Sequence, residues 1–163
     1  KLSNGEKLPT LEKYLKQGKK SKQVKLIVEI KPAKTPELED EMVAKTLKII
    51  RDKSLENQCE FISFSLHLCK EIKSQNPKAI VQYLAGDLSP LEIKNAGIDG
   101  LDYHYSVFLD KHPDWISEAK KLGLITNVWT VNDEVIFKKL ADLGVGFVTT
   151  NEPDAFEIVY CKF

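Results

Sequence analysis

No stretch of the chain is apolar for the roughly 18 to 20 positions needed to cross a bilayer. The longest apolar pieces, 26–30 and 124–131, are short or broken by polar residues, which excludes a transmembrane segment. An excess of charge of either sign is missing as well. The 24 Lys plus Arg offset the 24 Asp plus Glu, so nucleic-acid binding driven by counterion release from a basic surface is excluded. Cysteine is scarce and odd in number. Cys59, Cys69 and Cys161 fit neither a zinc-knuckle spacing nor a redox Cys-x-x-Cys pair, so they read as packing or incidental thiols rather than a disulfide scaffold. There is no Gly-x-Gly-x-x-Gly, no Walker loop and no Gly-x-Ser-x-Gly elbow, the local signatures of nucleotide binding and serine hydrolysis. The opening residues 1–5 carry no apolar signal core and no initiating Met. The expectation is that the start was removed or that the sequence begins inside a longer polypeptide.

What is present describes a globular chain, with 42% apolar and 29% charged residues over 163 positions, enough to bury a full core. Six segments rich in β-branched and aromatic residues predict strands at Val24–Ile30, Glu60–Phe64, Ala79–Leu84, Gly100–His104, Ile125–Val131 and Gly146–Thr150. Each is followed by helical spacing, over Glu37–Lys53, Ser65–Ser74, Pro90–Asn95, Pro113–Leu122, Asp133–Leu143 and Pro153–Tyr160. This βα alternation calls for a parallel sheet covered by helices. Pro36, Pro90, Pro113 and Pro153 stand where a first helical turn tolerates proline, and Gly97, Gly123 and Gly144 follow helices. Thr35 and Asn132 suit N-cap duty, and residues 9–15 read as a short capped helix ahead of an exposed basic loop at 17–22. No Pro/Ser-rich linker divides the chain, so one domain over 1–163 is expected. Six parallel strands suit an open doubly wound sheet or three quarters of an eight-stranded barrel, and composition does not choose between them.

Polar residues at strand ends are the chemical signal, because buried parallel strands are otherwise apolar. In Leu26-Ile27-Val28-Glu29-Ile30-Lys31 the alternation places Glu29 and Lys31 on one face at the C-terminal end, where both barrels and open α/β sheets bind ligands. Three readings compete: a structural ion pair, a cation on Glu29 with an anion on Lys31, or a Schiff-base amine at Lys31. Trp129 faces the same interior and serves either as core or as a wall against glycerol or sugar carbons. If Leu101 and Tyr103 pack on helices, Asp102 and His104 share the inner face, and His104 reads as pocket-lining or structural before it reads as catalytic. The residues by themselves establish a polar pocket and no reaction.

The order of motifs resembles the glycerophosphodiester phosphodiesterase family, phosphodiester hydrolases built on a TIM barrel. The resemblance rests on Leu8–Leu15 ahead of Val28-Glu29-Ile30-Lys31, then Ile62-Ser63-Phe64, Gly97-Ile98-Asp99-Gly100 and His104-Tyr105. It continues through Val128–Asp133 and Leu143-Gly144-Val145 to Thr149–Asp154. It implies an α/β fold, a TIM (β/α)8 barrel of which this chain carries six of the eight βα units. It further implies Glu29 as a ligand of a divalent cation, Mg²⁺ or Ca²⁺, Lys31 as a phosphate contact, Trp129 as the pocket tryptophan, and Phe64 and His104 as residues lining the same mouth. The implied reaction is cation-dependent hydrolysis of a small-molecule glycerophosphodiester to an alcohol and glycerol 3-phosphate.

The chain departs from the family pattern in one decisive respect. The family's two acid/base histidines, the first in a His-Arg-Gly block, and two further metal carboxylates belong to the first two βα units, and neither His-Arg-Gly nor a Glu-x-Asp ahead of Glu29 occurs here. No catalytic residue is therefore assigned within the chain, and the chain alone is expected to be inactive and to need its missing N-terminal part or another copy to cover two open sheet edges. Asn151-Glu152 stands where the family more often has Asp-Arg, which leaves that loop without an implied ligand role. A non-catalytic phosphate-binding barrel remnant and a phospholipase-type phosphodiesterase are the alternative readings. The compartment, cytoplasmic or extracytoplasmic, is not specified by the sequence.

Overall fold

The computed structural model describes residues 3, 5, 7–154 and 156. Six parallel strands form one sheet: β1 (Leu26–Glu29), β2 (Cys59–Ser63), β3 (Val81–Tyr83), β4 (Gly100–His104), β5 (Ile125–Trp129) and β6 (Phe147–Val148). Their spatial order is their sequence order, every neighbouring pair parallel. That order decides between the two architectures. A doubly wound sheet reverses direction at a switch point, whereas unbroken succession curls into a barrel wall. The result is a curled part of a TIM barrel with the helices outside it. The outer edges of β1 and β6 pair with no strand among the described residues. Ile27 on β1 and Phe147 on β6 accordingly remain 48% and 60% exposed.

Helices follow their local signals. α1 (Leu11–Gly18) starts at Thr10, whose hydroxyl accepts from the Lys13 N–H, and α2 (Pro36–Asp52) starts at Thr35 with Pro36 in its first turn. α3 (Leu66–Gln75) is capped by Ser65. α4 (Pro90–Asn95) begins with a capping box in which Ser89 and Glu92 satisfy each other's backbone N–H. α5 (Trp115–Lys121) and α6 (Glu134–Asp142) complete the described helices of regular α form. Gly97 and Gly123 end α4 and α5 with φ of +73° and +69°, a left-handed conformation that only glycine adopts without steric cost.

Three local expectations fail. α5 begins at Trp115 rather than Pro113, because an unforeseen π-helical segment, Val107–Lys111, occupies the chain just before it. Asp133, not Asn132, caps α6, and the Asn132 side chain instead accepts from Thr150 Oγ1 and the Asn151 N–H, tying β5 to the loop after β6. β1, β3 and β6 are each three residues shorter than their hydrophobic runs suggested and β5 two, whereas β4 has the expected bounds and β2 the expected length shifted by one residue. Most of the helix expected at 153–160, and Cys161, lie outside the described residues.

The core lies between the outer face of the sheet and the helices. Ile30, Phe61, Val81, Leu101, Tyr103 and Val128 meet Val43, Leu47, Leu68, Ile72, Ile93 and Ile116 there. Cys59 and Cys69 belong to this layer as free thiols, and burial pushes them up to about 11 and about 12, which keeps both unreactive. Asp99 of the Gly-Ile-Asp-Gly turn explains part of that motif. Its carboxylate accepts from the Val81 N–H at 2.9 Å and from Lys73 Nζ at 2.9 and 3.1 Å, binding α3, β3 and β4 together.

Candidate active site

The C-terminal end of β1 is held rigidly. Ser63 Oγ donates to the Ile30 carbonyl at 2.7 Å, while the buried Glu39 carboxylate accepts from the Ala33 N–H at 3.1 Å and from Ser65 Oγ at 2.8 Å. On this fixed backbone Glu29 and Lys31 point the same way, and Lys31 Nζ donates to Glu29 Oε1 at 2.8 Å. The lysine side chain is 76% exposed, so the pair contributes well under about 1 kcal/mol to stability and an anion can claim the ammonium at little cost.

An aromatic wall stands opposite. Trp129 at the end of β5 donates its indole N–H to the Asp102 carbonyl at 2.9 Å, which fixes the ring plane. The Trp129–Thr130 peptide bond is cis. Phe64 packs against Trp129 edge to face at 5.8 Å between ring centres, and His104 packs edge to face on it at 5.2 Å. Glu29, Lys31, Phe64 and Trp129 line one cavity of about 270 Å³, shared with Ile62, Leu84, Asp102, Thr130 and Thr149. His104 is not among the residues lining it. The His104 ring backs Trp129, with Nδ1 accepting from the Ser106 N–H and lying 2.7 Å from Ser106 Oγ. A larger hollow of about 380 Å³ lies near the N-terminal ends of β2 and β3, lined by residues such as Arg51, Asn57 and Lys78. It sits away from the barrel mouth, where α/β barrels place their chemistry.

Alternation in β4 buries Leu101 and Tyr103 against the helices and turns Asp102 inward. Asp102 is 2% exposed, and its Oδ1 has no hydrogen-bond partner. Burial first, and the Glu29 charge second, push its carboxyl up to about 7. Gln82 on β3 and Asn127 on β5 likewise bury an oxygen without a partner, so a polar layer underlies the aromatic mouth. Thr130 and Thr149 join the cavity just beyond their strands, where alternation no longer orders the side chains. No sequence signal marks them, whereas Asp102 was visible in the β4 alternation.

A cation site is not completed here. Among the described residues no three His, Cys, Asp or Glu side chains stand together as metal ligands. Glu29 offers one carboxylate at the mouth, and the described residues do not supply the other two of a three-carboxylate set.

A model of the glycerophosphoryl diester phosphodiesterase family matches residues 1–155. The chain belongs to that family. The chain is 44% identical to a glycerophosphodiester phosphodiesterase from Parabacteroides distasonis, with a TM-score of 0.93 over 96% of this chain and 66% of that one. A glycerophosphodiester phosphodiesterase from Thermotoga maritima is 21% identical, with a TM-score of 0.72 over 92% of this chain and 63% of that one. An Oleispira antarctica phosphodiesterase, solved with the product sn-glycerol-3-phosphate, is 23% identical, with a TM-score of 0.78 over 92% and 60%. These last two share the fold. The chain therefore spans 60–66% of the length of these solved structures. No curated protein matches it.

Proposed function

We propose that the whole protein hydrolyses glycerophosphodiesters to an alcohol and glycerol 3-phosphate, with Mg²⁺ or Ca²⁺ as cofactor. The observation that carries this reading is the convergence of Glu29 and Lys31 with Phe64 and Trp129 on one cavity at the C-terminal ends of the strands, in a chain of this family. The P. distasonis relative at 44% identity is itself a glycerophosphodiester phosphodiesterase.

The residues divide the work by chemistry. The Lys31 ammonium, released from Glu29, binds a phosphate oxygen as a point charge. Trp129 and Phe64 cover the carbon chain and exclude water, with Trp129 oriented by its hydrogen bond to β4. His104 acts through Trp129, as the ring behind it. Glu29 supplies one ligand of a cation, whose role when bound is to neutralise charge on the phosphodiester. The remaining ligands and the acid/base histidines implied by the family resemblance are not among the described residues.

The test is choline release from glycerophosphocholine by the full-length protein in the presence of Mg²⁺ or Ca²⁺. Glu29→Ala should abolish cation-dependent turnover, and full retained activity would remove Glu29 from the cation site. The 163-residue segment assayed by itself should be inactive. A binding module without chemistry is the second reading. His67 pairs with Asp40 at 2.7 Å, His112 stacks on Trp115 at 3.9 Å, and His104 faces Ser106, so no histidine lines the cavity. Product binding by the full-length protein without turnover would select it.

A further inference from the structure

We propose that Asp102 is the specificity residue of this pocket, its carboxyl accepting a hydrogen bond from a hydroxyl of the ligand's glycerol moiety. The inference rests on the phosphodiesterase reading and deepens it.

Among the described residues three buried side-chain oxygens lack a partner, on Gln82, Asp102 and Asn127. They belong to adjacent strands and face the barrel interior. Only Asp102 also lines the cavity that holds Glu29 and Lys31. A carboxyl oxygen that is sealed from bulk water and unmatched among the described residues is satisfied by a donor arriving in the cavity, and its side chain, 2% exposed, has little freedom to turn elsewhere.

The donor is a hydroxyl rather than the cation. The Glu29 side chain stands at the mouth, 32% exposed, whereas Asp102 lies at the buried floor of the same cavity, 2% exposed. Stripping a cation of its water costs far more than burying a hydroxyl that keeps its hydrogen bond. The two carboxyls thus serve different parts of one ligand: the charged end at Glu29 and Lys31, and the uncharged end at Asp102. Between them the Trp129 and Phe64 rings meet carbon. Charge at one end, apolar contact in the middle and an acceptor at the other end describe a short polyol phosphate. Either protonation state of Asp102 presents an acceptor oxygen.

The experiment compares two probes on the full-length protein by calorimetry, sn-glycerol 3-phosphate and 1-propyl phosphate, which share the phosphate and three carbons and differ in two hydroxyls. Wild type should prefer glycerol 3-phosphate by about tenfold or more, the scale of one buried hydrogen bond to a charged or strongly polar group. Asp102→Leu should bring the ratio to about one with propyl phosphate affinity unchanged, and Asp102→Asn, which keeps an acceptor, should retain most of the preference. Asp102→Ala removes the acceptor without added bulk and should behave as Asp102→Leu does. If the leucine variant does not fold, the alanine variant decides. A preference that survives loss of the acceptor, or an equal loss of both probes, overturns the role of Asp102 while leaving the phosphodiesterase reading in place. Failure of wild type to bind either phosphate at millimolar concentration overturns both.

Discussion

Asp102 should make the protein less stable as pH rises, and Asp102→Asn should remove that loss. Its carboxyl stands at about 7 in the folded chain instead of the ordinary 3.8, because of burial first and the Glu29 charge second. Below about pH 4 the group is protonated in both folded and unfolded chains and contributes no difference. Between about pH 4 and 7 the unfolded chain releases the proton while the native state keeps it, so native stability falls by about 1.4 kcal/mol per pH unit. Above about 7 both states are ionised and the loss levels off, at up to about 4 kcal/mol for a shift of this size. An asparagine has nearly the same volume and never ionises. Urea unfolding followed by tryptophan fluorescence, on wild type and Asp102→Asn at several pH values from 4.5 to 8, reads the difference directly. The variant should gain on wild type progressively across that range and hold its gain above pH 7, apart from a constant offset from the amide's own hydrogen bonding. A difference that does not change with pH, or a wild type that gains on the variant as pH rises, would refute the reasoning.

Other substitutions test the scaffold. A Cβ at Gly100 would lie 2.5 Å from the Ile125 carbonyl oxygen and 2.8 Å from Ile125 Cβ, so Gly100→Ala should force β4 and β5 apart at a cost of about 1–3 kcal/mol in denaturant unfolding; a neutral result would mean that the strands are not so closely apposed. Asp99→Ala orphans the Val81 N–H and removes the ion pair of Lys73, whose ammonium keeps only the Pro77 and Ala79 carbonyls. Its unfolding free energy should drop by about 1–3 kcal/mol, and hydrogen exchange at the Val81 amide should speed up. At α4, Ser89→Ala removes half of the capping box and should cost about 0.5–2 kcal/mol, with a melting temperature equal to wild type as the contrary result.

Much of the fold is legible along the chain because its rules are local. Strand alternation separates Leu101 and Tyr103 from Asp102, and a threonine or serine ahead of an apolar 3.6-residue pattern starts a helix at Thr10, Thr35 and Ser65. Neighbouring residues decide these features, and neighbouring residues are what a sequence shows. The π-helical segment at Val107–Lys111 was not legible, since its backbone carries no distinctive periodicity over five residues. Nor was the use of Asn132, whose partners lie 18 and 19 residues away.

Sequence order alone established that six strands alternate with helices and that a carboxylate and an ammonium emerge together at the end of the first. Tertiary structure decided that the strands succeed one another without a switch point, which curls the sheet and carries Trp129 across to Glu29, 100 positions away in the chain. It also decided that His104 turns behind the wall and that Asp102 keeps an oxygen without a partner. Distances between strands and the matching of buried donors to acceptors are set by which strands pair, and pairing is a property of the assembled sheet rather than of any segment within it.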